Sequence, residues 1–131
     1  MTRAELLAYA ASLFAALADE SGVPLDDSAA GLAWQLDAVI AATTDDADND
    51  AAQQALIEYH ALRKFRYGLA ARPDFDATAV RKKRSQVFDQ VDHLIADAAA
   101  RCSAGGYPVA AAGAYGLHVL TLDYLEPEAA E

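Results

Sequence analysis

Apolar residues return every three or four positions through most of this chain, then switch to every second position near its end. Leu6, Ala10, Leu13, Phe14 and Leu17 form one stripe of a first helix. Thr2, with Glu5 three residues on, makes a capping box that opens it, and Gly22 with Pro24 ends it. Asp26, Asp27 or Ser28 then caps a second helix, with Leu32, Leu36, Val39 and Ile40 facing inward and Trp34 at the margin. Residues 43–50 (TTDDADND) read as a polar loop. Asp50 is the expected cap of a third helix, with Gln53 at its third helical position. Ala55, Tyr59, Leu62, Arg66 and Leu69 share a face there, Arg66 at its edge, and the helix stops near Arg72 and Pro73. A short turn through Phe75 leads to a fourth helix, capped at Asp76 or Thr78. Its stripe is the longest in the chain: Val80, Val87, Phe88, Val91, Leu94, Ile95, Ala98 and Cys102, closed by Gly105 and Gly106.

The switch in period comes at residues 118–124. Leu120, Leu122 and Tyr124 fall on one side, Thr121 and Asp123 on the other, as in a half-buried strand, and Pro127 closes it. A lone strand leaves backbone N–H and C=O groups unpaired. Either it folds back on the apolar stretch near Val109, or it adds to a sheet in another molecule. An Ala/Gly linker over 109–116, hinged at Gly113 and Gly116, gives it reach. The expected fold is therefore all-α, a four-helix, mainly antiparallel bundle over 1–106, followed by an extended C-terminal arm over 107–131 that contains a β-strand. A strand on a tether points to attachment rather than catalysis, so no enzyme activity is expected.

Composition and charge sharpen this. The length suits one domain with a modest core, and 54% hydrophobic residues exclude a disordered chain. Much of that share is alanine, which favours helix but adds little apolar area, so support from neighbouring subunits is expected. The net charge is −10 and uneven: −9 over residues 1–50, +3 over 51–101 and −4 over 102–131. Such a balance argues against a free nucleic-acid binder. Cys102 is the only cysteine, so there is no disulfide framework and an intracellular origin is expected. No apolar run approaches the ~18 residues of a membrane span, and Glu5, Asp19 and Glu20 break up the start where a signal peptide would be apolar.

Few residues carry chemistry. Asp46, Asp48 and Asp50 have the alternate spacing of a calcium loop, but Ala51 stands where the sharp turn needs Gly and Ile57 where a bidentate Glu belongs. The reading kept is a solvated loop with a helix cap. His60, His93, Asp89 and Glu58 define the main alternative, a small helical metal-binding or enzyme domain, although no Glu-x-x-His pair is present. Cys102 sits on an apolar stripe, which fits an inert thiol. No nucleophile elbow and no phosphate-cradling glycine loop occurs. No metal or cofactor is expected. The strongest feature is basic. Arg63, Lys64, Arg66 and Arg72 end helix three, and Arg81, Lys82, Lys83 and Arg84 begin helix four, where four cations oppose the helix dipole. This corner is either solvated or paired with the acidic helices of its own chain or of a neighbouring subunit, with nucleic-acid contact as the lesser reading.

The central block also resembles a known family. Ala55, Leu56, Tyr59, Ala61, Leu62 and Arg63, then Arg84, Ser85, Gln86, Phe88, Gln90 and Val91, match an Ala-Leu-x-x-Tyr-x-Ala-Leu-Arg helix followed by an Arg-Ser-Gln-x-Phe-x-Gln-Val helix. That pair resembles the small head–tail adaptor (connector) proteins of tailed phages, over roughly residues 51–107, with His60 where an aromatic is usual. The resemblance implies a ring of about twelve copies beneath the portal. Such a ring extends the DNA channel, passes DNA without binding it specifically, and offers a surface to a stopper or tail-completion protein. It implies a place in the virion neck, assembly in the host cytoplasm, and no membrane. It also implies that Val119, Leu120, Leu122 and Tyr124 dock on the portal as an added strand, while the basic corner meets the neighbouring subunit's acidic helices.

Overall fold

Thr2 and Glu5 close the capping box. The Thr2 hydroxyl accepts from the Glu5 N–H at 3.1 Å, and the Thr2 N–H donates to the Glu5 carboxylate at 2.7 Å. They open α1, Arg3–Ser21, which Gly22 ends at φ 75°, a left-handed conformation that suits glycine. The computed structural model describes residues 1–71 and 78–110, and for residues 78–85 the backbone alone.

The second helix begins later than its cap residues suggest. Ser28 donates to the Asp26 carboxylate and accepts from the Gly31 N–H, while the Leu32 N–H returns to the Asp26 carbonyl. These bonds fold residues 26–32 into a turn, so α2 is only Ala33–Ala42 and its N-cap, Leu32, makes no side-chain bond. Asp27 serves instead as a partner of Arg3. Gly31 fits the turn because a Cβ there would come within 2.6 Å of the Asp26 carbonyl and 2.7 Å of the Pro24 carbonyl. Residues 44–46 of the polar loop wind into one 3-10 turn. Asn49 rather than Asp50 caps α3, Asp50–Ala70, by accepting from the Ala52 N–H. Asp50 takes the chain's N-terminal ammonium at 3.3 Å. Gln53 accepts from the same ammonium and donates to the Thr43 hydroxyl. The fourth helix, α4, is Thr78–Ala104, ended by Gly106 at φ 92°.

The protein is mainly helical, and α3 is its hub, packed against each of the other three helices. Pairings that rise together, Tyr9 with Glu58 and Phe14 with Phe65, set α1 parallel to α3. Pairings that run oppositely, Arg66 with Asp92 and Glu58 with Arg101, set α4 antiparallel to α3. Three neighbours bury α3 on most sides: every residue from 55 to 59 is buried, as are Leu62, Phe65 and Leu69. The outer helices bury less than their stripes predict. Leu13, Ile40 and Leu94, all expected inside, are 50%, 38% and 46% exposed, and Trp34 is 67% exposed rather than marginal. Each outer helix has one principal neighbour, which covers a narrow strip: Leu6, Ala10, Phe14 and Ala18 on α1, and Val91, Ile95, Ala98 and Cys102 on α4. A break at Phe14 (φ −120°, ψ 20°) further turns α1. No strand occurs among the described residues. The strand expected at Val119, Leu120, Leu122 and Tyr124, and the hinges Gly113 and Gly116, lie outside them.

Candidate functional site

The segment that follows α4 is held down by two tyrosines. Tyr59, 1% exposed on α3, donates from its hydroxyl to the Ala110 carbonyl at 2.7 Å. Arg63, one turn on, donates to that hydroxyl at 3.2 Å, with its guanidinium 5.4 Å from the ring centroid. Tyr107 donates to the Asp46 carboxylate at 2.9 Å, and its N–H returns to the Cys102 carbonyl. The Asn49 amide and then the Tyr107 hydroxyl hold the Asp46 carboxyl below its ordinary range, and the same bond raises the Tyr107 phenol. Val109 packs against the core. The chain thus stays on the helical body as far as Ala110.

The groups of the metal reading go elsewhere. Glu58 is 8% exposed and committed to a bridge among three helices. Arg101 of α4 donates to its two oxygens at 2.6 and 3.1 Å, and Tyr9 of α1 donates at 2.6 Å. Burial first, and the Glu58 bond second, push the Tyr9 phenol up to about 12. The same carboxylate raises the Arg101 guanidinium. Asp89 and His93 are exposed on α4, and His60 is half-buried on α3. Burial and the Arg63 charge lower the His60 pKa. Among the described residues no three His, Cys, Asp or Glu side chains converge on a possible metal position, the Asp46, Asp48, Asp50 turn included. Cys102 is buried, which pushes its thiol up to about 11.

The described members of the basic corner turn to different neighbours. Arg66 pairs with Asp92 at 2.6 Å and covers the Phe88 ring at 5.0 Å, tying α3 to α4. Lys64 reaches the Ala29 carbonyl at 3.4 Å beside α2, and Arg63 lies on Tyr59. Arg72 falls outside the described residues, as do the side chains of Arg81, Lys82, Lys83 and Arg84 in the first turns of α4.

One feature escaped sequence reasoning. Gln35, His60, Arg63, Lys64 and Tyr67 line an open hollow of about 260 Å³ between α2 and α3. The Gln35 side-chain amide oxygen is buried without a hydrogen-bond partner. Tyr67 is 75% exposed, and so is most of Trp34, the residue before Gln35. The sequence places Trp34 at the margin of α2 and carries no signal for the hollow, which only the pairing of α2 with α3 brings together.

Comparison with protein-family models, with curated proteins and with solved structures finds no match for this chain. No helix among the described residues is long and apolar enough to cross a membrane.

Proposed function

We propose that this chain is a structural virion protein, a head–tail adaptor that assembles as a ring of about twelve copies beneath a portal. The ring links capsid to tail, extends the DNA channel and meets a stopper or tail-completion protein. The observation that carries the reading is the bond from Tyr59 to the Ala110 carbonyl. Tyr59 and Arg63 belong to the adaptor-like stretch of α3, and both act at the root of the arm. A docking arm needs such a root. The strand at Val119, Leu120, Leu122 and Tyr124 transmits force to the body only if the chain before it is fixed. From Ala110, the linker with Gly113 and Gly116 carries the strand to a portal sheet, where backbone pairing supplies affinity and alternate side chains supply specificity. The basic corner meets the acidic helices of the next copy, and the acidic surplus keeps DNA from adhering as it passes.

Light scattering of the full chain, and of a chain cut after Ala110, each with and without portal-bearing capsids, tests this. The full chain is expected to join portals as a ring and the cut chain to fail. If neither associates with portals, the adaptor reading is wrong.

A further inference from the structure

The hollow between α2 and α3 has the makings of a receptor for an acidic turn. Lys64 spends its ammonium on one long bond, 3.4 Å, to the Ala29 carbonyl. The Gln35 side-chain oxygen is buried and lacks a donor, an unsatisfied acceptor that costs free energy in the wall of the hollow. Trp34 and Tyr67 lie open at 67% and 75% exposure, and such aromatics dominate binding once a partner covers them. A suitable occupant brings carboxylates for Lys64 and enough surface to cover the exposed rings.

The chain itself carries that occupant. Residues 43–50 hold four aspartates and no base. Asp45 and Asp48 are exposed, and neither makes an ion pair among the described residues. We infer that the hollow at Gln35, Lys64 and Tyr67, with exposed Trp34 next in sequence to it, receives the 43–50 turn of a second copy of this chain. The two surfaces cannot meet within one molecule. The turn ends where α3 begins, and Lys64 and Tyr67 lie about 20–25 Å further along that helix at ~1.5 Å per residue. Repeated from copy to copy, a turn seated in the next hollow is a head-to-side contact that closes into a ring, whereas a dimer in solution would mean that two copies exchange turns. The head-to-side contact rests on the ring of the proposed adaptor and gives that ring its seam. Nucleic acid is the competing occupant, since Lys64 would also attract phosphate, but a net charge of −10 disfavours it.

The test is self-association of the full chain, measured by sedimentation in solution and by copy number on portal particles, at low and high salt. Lys64→Glu, Asp45→Lys and Asp48→Lys each weaken association by about tenfold or more. Lys64→Glu combined with one of the aspartate swaps recovers most of the loss. Trp34 is the only tryptophan, so its emission shifts to the blue on association. Circular dichroism confirms that each variant is folded. Self-association indifferent to Lys64→Glu, or an oligomer with unmoved Trp34 emission, overturns the seam. If portals are still bound, the adaptor reading survives that result. A chain that neither self-associates nor binds portals overturns both. Seam behaviour without portal binding removes the head–tail role alone. Duplex DNA binding lost in Lys64→Glu, with self-association intact, assigns the hollow to nucleic acid and overturns the inference.

Discussion

Replacing Arg101 with Met tests whether the Glu58 bridge holds the helices together. The substitution keeps most of the stem and removes both charge-assisted bonds, at 2.6 and 3.1 Å. It leaves a carboxylate whose side chain is only 11% exposed, with Tyr9 as its remaining partner. Removing one member of a fully buried pair costs about 3–5 kcal/mol. Here the Arg101 side chain is 45% exposed, so water screens part of the interaction and rescues part of the loss. The expected destabilisation is therefore about 2–3 kcal/mol. At ~2.1 cal/mol/K of unfolding entropy per residue, that lowers Tm by roughly 7–11 °C.

Urea and thermal melts followed by circular dichroism measure it, and a cycle with Glu58→Gln isolates the pair. The double variant should lose at least ~1 kcal/mol less than the two single losses combined. Arg3→Ala is the control: it breaks ion pairs to Asp27 and Asp37 on the surface and should shift the melt far less. Tyr9 adds a signature in pH. Its phenol is raised from 10.0 to about 12 in the folded protein, so its contribution is complete below pH 10 and is lost as pH rises toward 12. An Arg101→Met melt within ~0.5 kcal/mol of the parent, or strictly additive losses, would refute the bridge.

Three further outcomes are expected. Gly68→Ala places a Cβ 2.8 Å from the Ser21 carbonyl and should cost about 1–3 kcal/mol in urea melts by forcing α1 from α3. Cys102, buried with its thiol raised to about 11, should resist iodoacetamide at neutral pH in the folded chain and react at once in urea; rapid native alkylation would contradict its place in the core. His60 is lowered from 6.5 by burial and by Arg63, with Lys64 lining the same hollow, so it adds stability above pH 6.5 that fades as pH falls through its depressed value. His60→Gln should flatten the urea midpoint between pH 7 and 5, and an unchanged slope would show that the imidazole titrates freely.

The helices were legible because their signals are local. The capping box at Thr2 and Glu5, the glycine ends at Gly22 and Gly106, and the break before Pro73 all act within one or two turns. The start of α2 was not, because Asp26 and Ser28 bond to each other and to Gly31, and the same residue types that cap helices also close turns. The strand expected at Val119, Leu120, Leu122 and Tyr124 lies outside the described residues, as do Arg72 and the side chains of Arg81, Lys82, Lys83 and Arg84.

Stripe width explains the remaining mismatches. A periodic stripe assumes one covered face per helix. On α1 and α4 the covered face is narrower than the stripe, and Leu13 and Leu94 are left outside. On α3, with three neighbours, it is wider, and Leu56, Ile57 and Phe65 are buried off the predicted face. The number of neighbours is a tertiary quantity that no window of one helix contains. It also bears on the proposed seam. Since α2 and α4 leave part of α3 uncovered, His60, Lys64 and Tyr67 reach a surface on an otherwise buried helix. A second copy seated there would act as a fourth neighbour of the hub, completing by assembly a core that alanine-rich helices leave thin.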